Sequence, residues 1–112
     1  MAEVTLKSLQ HAIRQVDFRP DHTFFYLTKL MEEVGELARA MRQDTRWADT
    51  GQIKGTLDEE LYDVLYYVAA LANLYDVDLE AVMRVKDRLA AEKYGHEPLL
   101  AYIEGQPDPS GA

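Results

Sequence analysis

Two pairs of acidic residues stand at helical spacing in two separate parts of the chain. Glu33 and Glu36 are three positions apart, and so are Glu60 and Asp63. In an α-helix this spacing places both side chains of a pair on one face, with Cβ atoms about 5–6 Å apart. At about 100° per residue, each pair flanks the apolar arc of its own segment. If the two helices pack together, the two pairs can face each other.

Four carboxylates brought together repel one another, which raises their pKa values or strains the fold. A hard divalent cation removes this repulsion, and Mg²⁺ prefers oxygen ligands while keeping positions for phosphate oxygens. Two such ions about 3.5–4 Å apart can activate a water and stabilise a leaving oxygen. The pattern therefore predicts a Mg²⁺ site at Glu33, Glu36, Glu60 and Asp63. The alternative is that these acids are ordinary solvated residues on helix surfaces.

A later segment carries basic residues on an apolar face. Lys86 falls inside the apolar arc of this segment, and Lys93 lies close to it. A lysine there is costly to desolvate unless its stem reaches solvent or its ammonium meets an anion. We expect Lys86 and Lys93 to bind phosphate, with a solvent-directed stem as the alternative. Asp87, at the edge of the same face, is a candidate additional metal ligand or a solvated acid.

Four helices are expected to position these residues. Apolar residues at helical spacing predict helices at about 4–16, 22–42, 57–75 and 79–94. The run Thr56 to Glu59 matches a capping box, and Asp78 is a suitable N-cap. A polar loop from Gln43 to Gly55 separates the two acidic helices. It contains Trp47, which could stack on a nucleobase or anchor the loop on the domain.

Composition limits the class of protein and its partners. The 112 residues suffice for one domain, which we expect to span 1–104, followed by a disordered tail at 105–112. Twenty acidic and 12 basic residues give a net charge of −8. That charge argues against nucleic-acid polymers and anionic membranes as partners, and a small anionic substrate would need a cation beside it. The absence of cysteines excludes disulfides, and no signal peptide or membrane span is recognisable, so we expect a cytoplasmic protein.

The acidic segments resemble those of a known enzyme family. The sequences LMEEVGEL at 30–37 and EELYDVL at 59–65 resemble the MazG-like nucleoside triphosphate pyrophosphohydrolases. The signature of that family is Glu-x-x-Glu, a spacer and Glu-x-x-Asp. Glu33, Glu36, Glu60 and Asp63 match its four acids, and the resemblance covers roughly residues 24–94.

The resemblance implies an all-α, four-helix MazG-like bundle whose core is completed by dimerisation, as a homodimer or a dimer of dimers. It implies Mg²⁺, for which Mn²⁺ can substitute, and hydrolysis of nucleoside triphosphates to monophosphate and pyrophosphate, with non-canonical or deoxy nucleotides as candidate substrates. In this scheme Glu32 or Glu36 positions or deprotonates the attacking water. Many members carry Asn and Arg on the last helix, where this chain has Asp87 and Lys93.

Other functions fit parts of the same pattern. A non-catalytic helical interaction module would leave the acids solvated. Phosphoribosyl-ATP pyrophosphohydrolase shares the helical architecture and differs in substrate. A di-iron carboxylate site needs Glu-x-x-His, and no Glu here has a His three residues later.

Overall fold

Helices account for most of the chain. The computed structural model describes residues 2–105, in which no residue forms a β-strand. The elements are α1 (Leu6–Val16), a 3₁₀ helix (Pro20–His22), α2 (Thr23–Gln43), α3 (Trp47–Thr50), α4 (Leu57–Leu74), α5 (Leu79–Tyr94) and α6 (Leu99–Gly105). The predicted all-α class is confirmed. None of the helices within 2–105 has both the length and the apolar character needed to cross a bilayer.

The four predicted helices correspond to α1, α2, α4 and α5, with α5 matching at both ends and the others differing by at most two residues at an end. Two short helices were not predicted. The expected polar loop after α2 contains the single-turn helix α3, and α6 follows α5 where only a chain end was expected. Gly105, the first residue of the predicted tail, is the last residue of α6, and the rest of that tail, 106–112, lies outside the described residues.

The helices fall into two compact units. The first, ending at Val77, contains α1 to α4, and the second, beginning at Asp78, contains α5 and α6. In the first unit α4 packs against both α1 and α2. Its buried core includes a cluster of Ile13, Tyr26, Ala69 and Ala70. The small alanines of α4 allow close approach of the neighbouring helices, so α2 and α4 are held side by side.

One carboxylate joins three segments of the first unit. Asp17, just after α1, accepts hydrogen bonds of 2.6 Å from the hydroxyls of both Tyr26 and Tyr66. Burial acts to raise the pKa of Asp17, but the two hydroxyls and Arg19 outweigh it and leave that pKa lowered. Burial and the Asp17 carboxylate raise the pKa of Tyr26 to about 12. The ionised carboxylate therefore ties α1 to α2 and α4.

Removing one of these hydroxyls is expected to destabilise the fold. Tyr66→Phe should lower the free energy of unfolding by about 1.5–3 kcal/mol, the range for a hydrogen bond to a charged group. Urea unfolding followed by circular dichroism measures this. Tyr75→Phe removes a hydroxyl from a side chain that is largely exposed, and it should change stability by less than about 0.5 kcal/mol. Equal losses in the two variants would contradict the role given to Asp17.

The segment between α2 and α4 is anchored at the N-terminus of α4. The Thr56 hydroxyl accepts the Glu59 amide at 3.3 Å, as a capping box requires. The Glu59 carboxylate, however, accepts the Gly55 amide at 3.0 Å and not that of Thr56. Asp58 accepts the Trp47 amide at 2.8 Å, which connects α3 to α4. The first turn of α4 thus fixes the loop that precedes it.

Candidate metal centre

Two packed helices supply the acidic residues of the site. Glu33 lies in the middle of α2, and Glu60 and Asp63 lie in the first half of α4. One carboxylate oxygen from each of these three residues lies within 4.8 Å of the others. Glu60 is buried, while Glu33 and Asp63 are half-buried. The packing of α2 against α4 therefore brings together three of the four acids that the spacing singled out.

This cluster is electrostatically unfavourable without a cation. Burial, then hydrogen bonding and repulsion from Glu33, and the charges of Asp63 and Glu59 raise the pKa of Glu60 to about 7. Burial and the negative charges of Glu33 and Glu59 also raise the pKa of Asp63. The Oε2 atom of Glu60 is buried without a hydrogen-bond donor among the described residues. A proton shared with Glu33 or a bound cation would satisfy that oxygen.

The fourth acid, Glu36, lies apart from these three. It is exposed, and its Oε2 accepts a 2.8 Å hydrogen bond from Nε of Arg39. The same guanidinium reaches Glu60, with 3.8 Å between Nη2 and Oε1, and donates to Gln43 at 2.8 Å. Arg39 therefore pairs with one acid on each helix and holds Glu36 outside the three-carboxylate cluster.

Glu32 and Lys29 lie on the same helix as Glu33. Glu32 is exposed and forms a 3.2 Å ion pair with Lys29. Hydrogen bonding to Glu32, followed by the charges of Glu32 and Tyr67, raises the pKa of Lys29. Lys54, in the segment before α4, and Lys29 both act to lower the pKa of Asp63, so the charges of both lysines reach the cluster. Lys29 and Arg39 each stand three residues from an acid on one helix face, but neither was predicted as part of the site.

The predicted phosphate-binding residues belong to the second unit. Lys86 is exposed and lines a mostly apolar cavity of about 340 Å³ with Met83, Tyr94 and other residues of that unit. Lys93 places its Nζ 5.3 Å from the centroid of the Tyr94 ring. Both ammonium groups are therefore at the surface of the second unit, with solvent access.

Asp87 and Trp47 have local roles in the structure. The two oxygens of the buried Asp87 accept the amides of Leu99 at 2.6 Å and Leu100 at 2.9 Å. Asp87 thus caps the N-terminus of α6, a role that its position in the sequence did not indicate. Trp47 is half-exposed at the start of α3, and its amide is bound by Asp58.

The donor set of the cluster suits a hard divalent cation. All three groups are carboxylates, which are the ligands that Mg²⁺ and Mn²⁺ accept, and none is a thiolate or imidazole. The Oε2 atom of Glu60 supports this assignment, because a buried acceptor without a hydrogen-bond donor costs folding free energy. A bound cation would remove that cost. Glu33 and Asp63 are only half-buried, so the cluster is not closed off from solvent.

The raised pKa of Glu60 predicts how stability depends on pH. Between its ordinary value of 4.5 and about 7, the folded protein binds a proton at Glu60 more tightly than the unfolded chain does. Without divalent metal, stability should therefore fall as pH rises through this window and level off above it. Differential scanning fluorimetry in EDTA from pH 4.5 to 8.5 measures the slope.

Two controls make this pH prediction specific. Glu60→Gln should remove most of the fall, whereas Glu3→Gln, at an exposed residue before α1, should keep it. Mg²⁺ added at pH 8 should raise the melting temperature of the wild type more than it does at pH 5. Stability that rises between pH 5 and 7 in EDTA would contradict the repulsion described here.

Comparisons with known proteins identify relatives of this chain. The model of the MazG nucleotide pyrophosphohydrolase domain matches residues 23–93, which is more than half of the chain and includes the three clustered acids. Two crystal structures of iMazG from Vibrio DAT 722 are similar to it, with 42% identity and TM-scores of 0.73 and 0.74. They cover 78% and 81% of this chain and 98% of each iMazG chain. The uncharacterized protein YvdC of Bacillus subtilis is 37% identical over 75 residues, which are 60% of this chain and 71% of YvdC.

Proposed function

Because this chain belongs to the family of MazG nucleotide pyrophosphohydrolase domains, we propose that it hydrolyses nucleoside triphosphates to monophosphate and pyrophosphate with Mg²⁺. The observation that carries the proposal is the cluster of Glu33, Glu60 and Asp63, with its donorless buried oxygen. Family membership supports the class of reaction, and the cluster is where the metal would bind.

Glu33, Glu60 and Asp63 would hold the ion, and the exposed Glu36 would join them. A divalent cation there neutralises phosphate charge and lowers the pKa of a bound water. Mn²⁺ has the same preference for oxygen ligands and would substitute. The acids of this chain alone repel a triphosphate, as the net charge of −8 also does, so substrate binding should depend on the metal.

The exposed acids of α2 would handle the attacking water. Glu32 and Glu36 are both exposed, so solvent water can reach their carboxylates. Either carboxylate would orient the water and accept its proton as the bond between the α- and β-phosphates breaks. Lys86 and Lys93 remain candidates for phosphate contact and Trp47 for stacking on the base, because all three side chains are accessible to solvent.

A homodimer is the assembly that the surface of the first unit favours. Large apolar side chains form a continuous stripe on α2 and another on α4, and they are 37–67% exposed in the single chain. These residues are Leu27, Met31, Val34, Leu61, Leu65 and Val68. A contiguous apolar surface of this kind marks an interaction site in a protein of this size. Pairing of these stripes between two copies would bury them and enlarge the core.

A panel of nucleotides tests the proposed function. The purified protein is incubated with canonical, deoxy and modified nucleoside triphosphates and with phosphoribosyl-ATP, with Mg²⁺ or with EDTA. Release of pyrophosphate from at least one triphosphate, only with the metal, is the expected result. Cleavage of phosphoribosyl-ATP alone would reassign the substrate. No pyrophosphate from any compound would contradict the proposal and favour a non-catalytic module.

A further inference from the structure

Arg39 lies between the two helices that carry the clustered acids. We propose that Arg39 binds the substrate triphosphate, and that its ion pairs with Glu36 and Glu60 are the resting state from which it is released. This inference rests on the proposed function and adds to it a phosphate-binding residue on α2.

The contacts of Arg39 place its guanidinium at the edge of the cluster. Its Nε donates to Glu36 at 2.8 Å, and its Nη2 lies 3.8 Å from Oε1 of Glu60. That Glu60 oxygen belongs to the same carboxylate whose other oxygen is buried without a donor. The Arg39 side chain is 36% exposed, so one side of it faces the acids and the other is open to solvent.

The same carboxylates cannot serve Arg39 and a metal ion equally well. Glu60 is one of the three clustered carboxylates, and Glu36 is the exposed acid to which Arg39 donates a hydrogen bond. If Glu60 and Glu36 held a cation, the guanidinium would lose its anionic partners. The phosphate oxygens of a substrate would then be the anionic groups available to Arg39.

The chemistry of arginine suits this exchange. The guanidinium remains charged throughout, and its planar set of N–H donors matches the oxygens of a carboxylate or a phosphate equally well. The surroundings of Arg39 are acidic, so binding a triphosphate there requires both the cation and the arginine. Two lysines also act on the cluster: Lys29 is already paired with Glu32 at 3.2 Å, and Lys54 acts to lower the pKa of Asp63 from the segment before α4.

Two titrations by calorimetry separate this role from a purely structural one. The first uses Mg²⁺ alone. The second uses Mg²⁺ at saturation with the α,β-imido analogue of the triphosphate that the wild type cleaves fastest. In Arg39→Gln we expect the analogue Kd to rise about ten- to a hundredfold, the range for a lost charge-assisted hydrogen bond. Mg²⁺ alone should bind as tightly as in the wild type or more tightly, because a competing cation has been removed.

Control variants define the outcomes. Arg39→Lys keeps the charge and should recover part of the analogue affinity, and it also serves if Arg39→Gln does not fold. Arg42→Gln removes an exposed arginine of the same helix and should change neither Kd. An analogue Kd within twofold of wild type in both Arg39 variants overturns the inference, as does a parallel loss of Mg²⁺ affinity. A wild type that neither binds the analogue nor releases pyrophosphate defeats the proposed function instead.

Discussion

Glu60→Gln should lower the kcat of nucleotide hydrolysis by about a thousandfold while raising the melting temperature of the metal-free protein. The two effects share one cause. In the metal-free fold, the Glu60 carboxylate is buried against Glu33 and Asp63, which raises its pKa to about 7. Neutralising it relieves this repulsion, and the same change removes one of the three proposed metal ligands.

Steady-state kinetics and scanning fluorimetry with EDTA or Mg²⁺ measure both effects. Mg²⁺ should stabilise the wild type and have little effect on Glu60→Gln. Glu3→Gln changes the net charge equally at an exposed residue before α1, and should leave both activity and the Mg²⁺ response unchanged. A Glu60→Gln protein that is active, or that still gains the full stabilisation from Mg²⁺, would remove Glu60 from the metal site.

Leu65→Glu is expected to convert the proposed homodimer to monomers at micromolar concentration. Leu65 lies in the middle of the apolar stripe of α4 and is 42% exposed in the single chain. In a dimer it would be buried, and an unpaired carboxylate there costs several kcal/mol per copy. Two such charges face each other in a symmetric interface, so the dimer Kd should rise at least about a hundredfold.

Light scattering after size-exclusion chromatography measures the mass of the variant. Val4→Glu introduces the same charge at an exposed residue before α1, outside both stripes, and should leave the assembly unchanged. A wild type that is monomeric at high micromolar concentration would contradict the dimer. An unchanged Leu65→Glu dimer would place the interface elsewhere.

The sequence predicted the long helices well because their apolar periodicity and caps agree. Thr56 and Asp78 accept amides at the starts of α4 and α5, as expected. The short helices α3 and α6 have too few residues to show a period. They depend on contacts distant in sequence, such as Asp58 on the Trp47 amide and Asp87 on the start of α6.

The sequence predicted which acids cluster at the site, except for Glu36, but it did not predict the contacts of Glu36 and Arg39. Helical spacing placed Glu33, Glu60 and Asp63 on faces that meet, since spacing determines direction from the helix axis. It could not show that Glu36 turns away to Arg39, because the rotamer of a long exposed side chain depends on its partners. For the same reason the sequence did not indicate the ion pair between Arg39 and Glu60, because Glu60 lies on another helix.

The anchoring of the loop before α4 has a consequence for protein engineering. Asp58 and Glu59 bind the loop through the Trp47 and Gly55 amides, and the Leu57 amide binds the carbonyl of Thr45. The Ile53 carbonyl accepts the Thr56 amide and hydroxyl, so the residues that can be exchanged or lengthened while the first turn of α4 keeps Glu60 in register are 48–52. Libraries confined to 48–52 would vary the surface beside Trp47 and leave the acidic cluster unchanged.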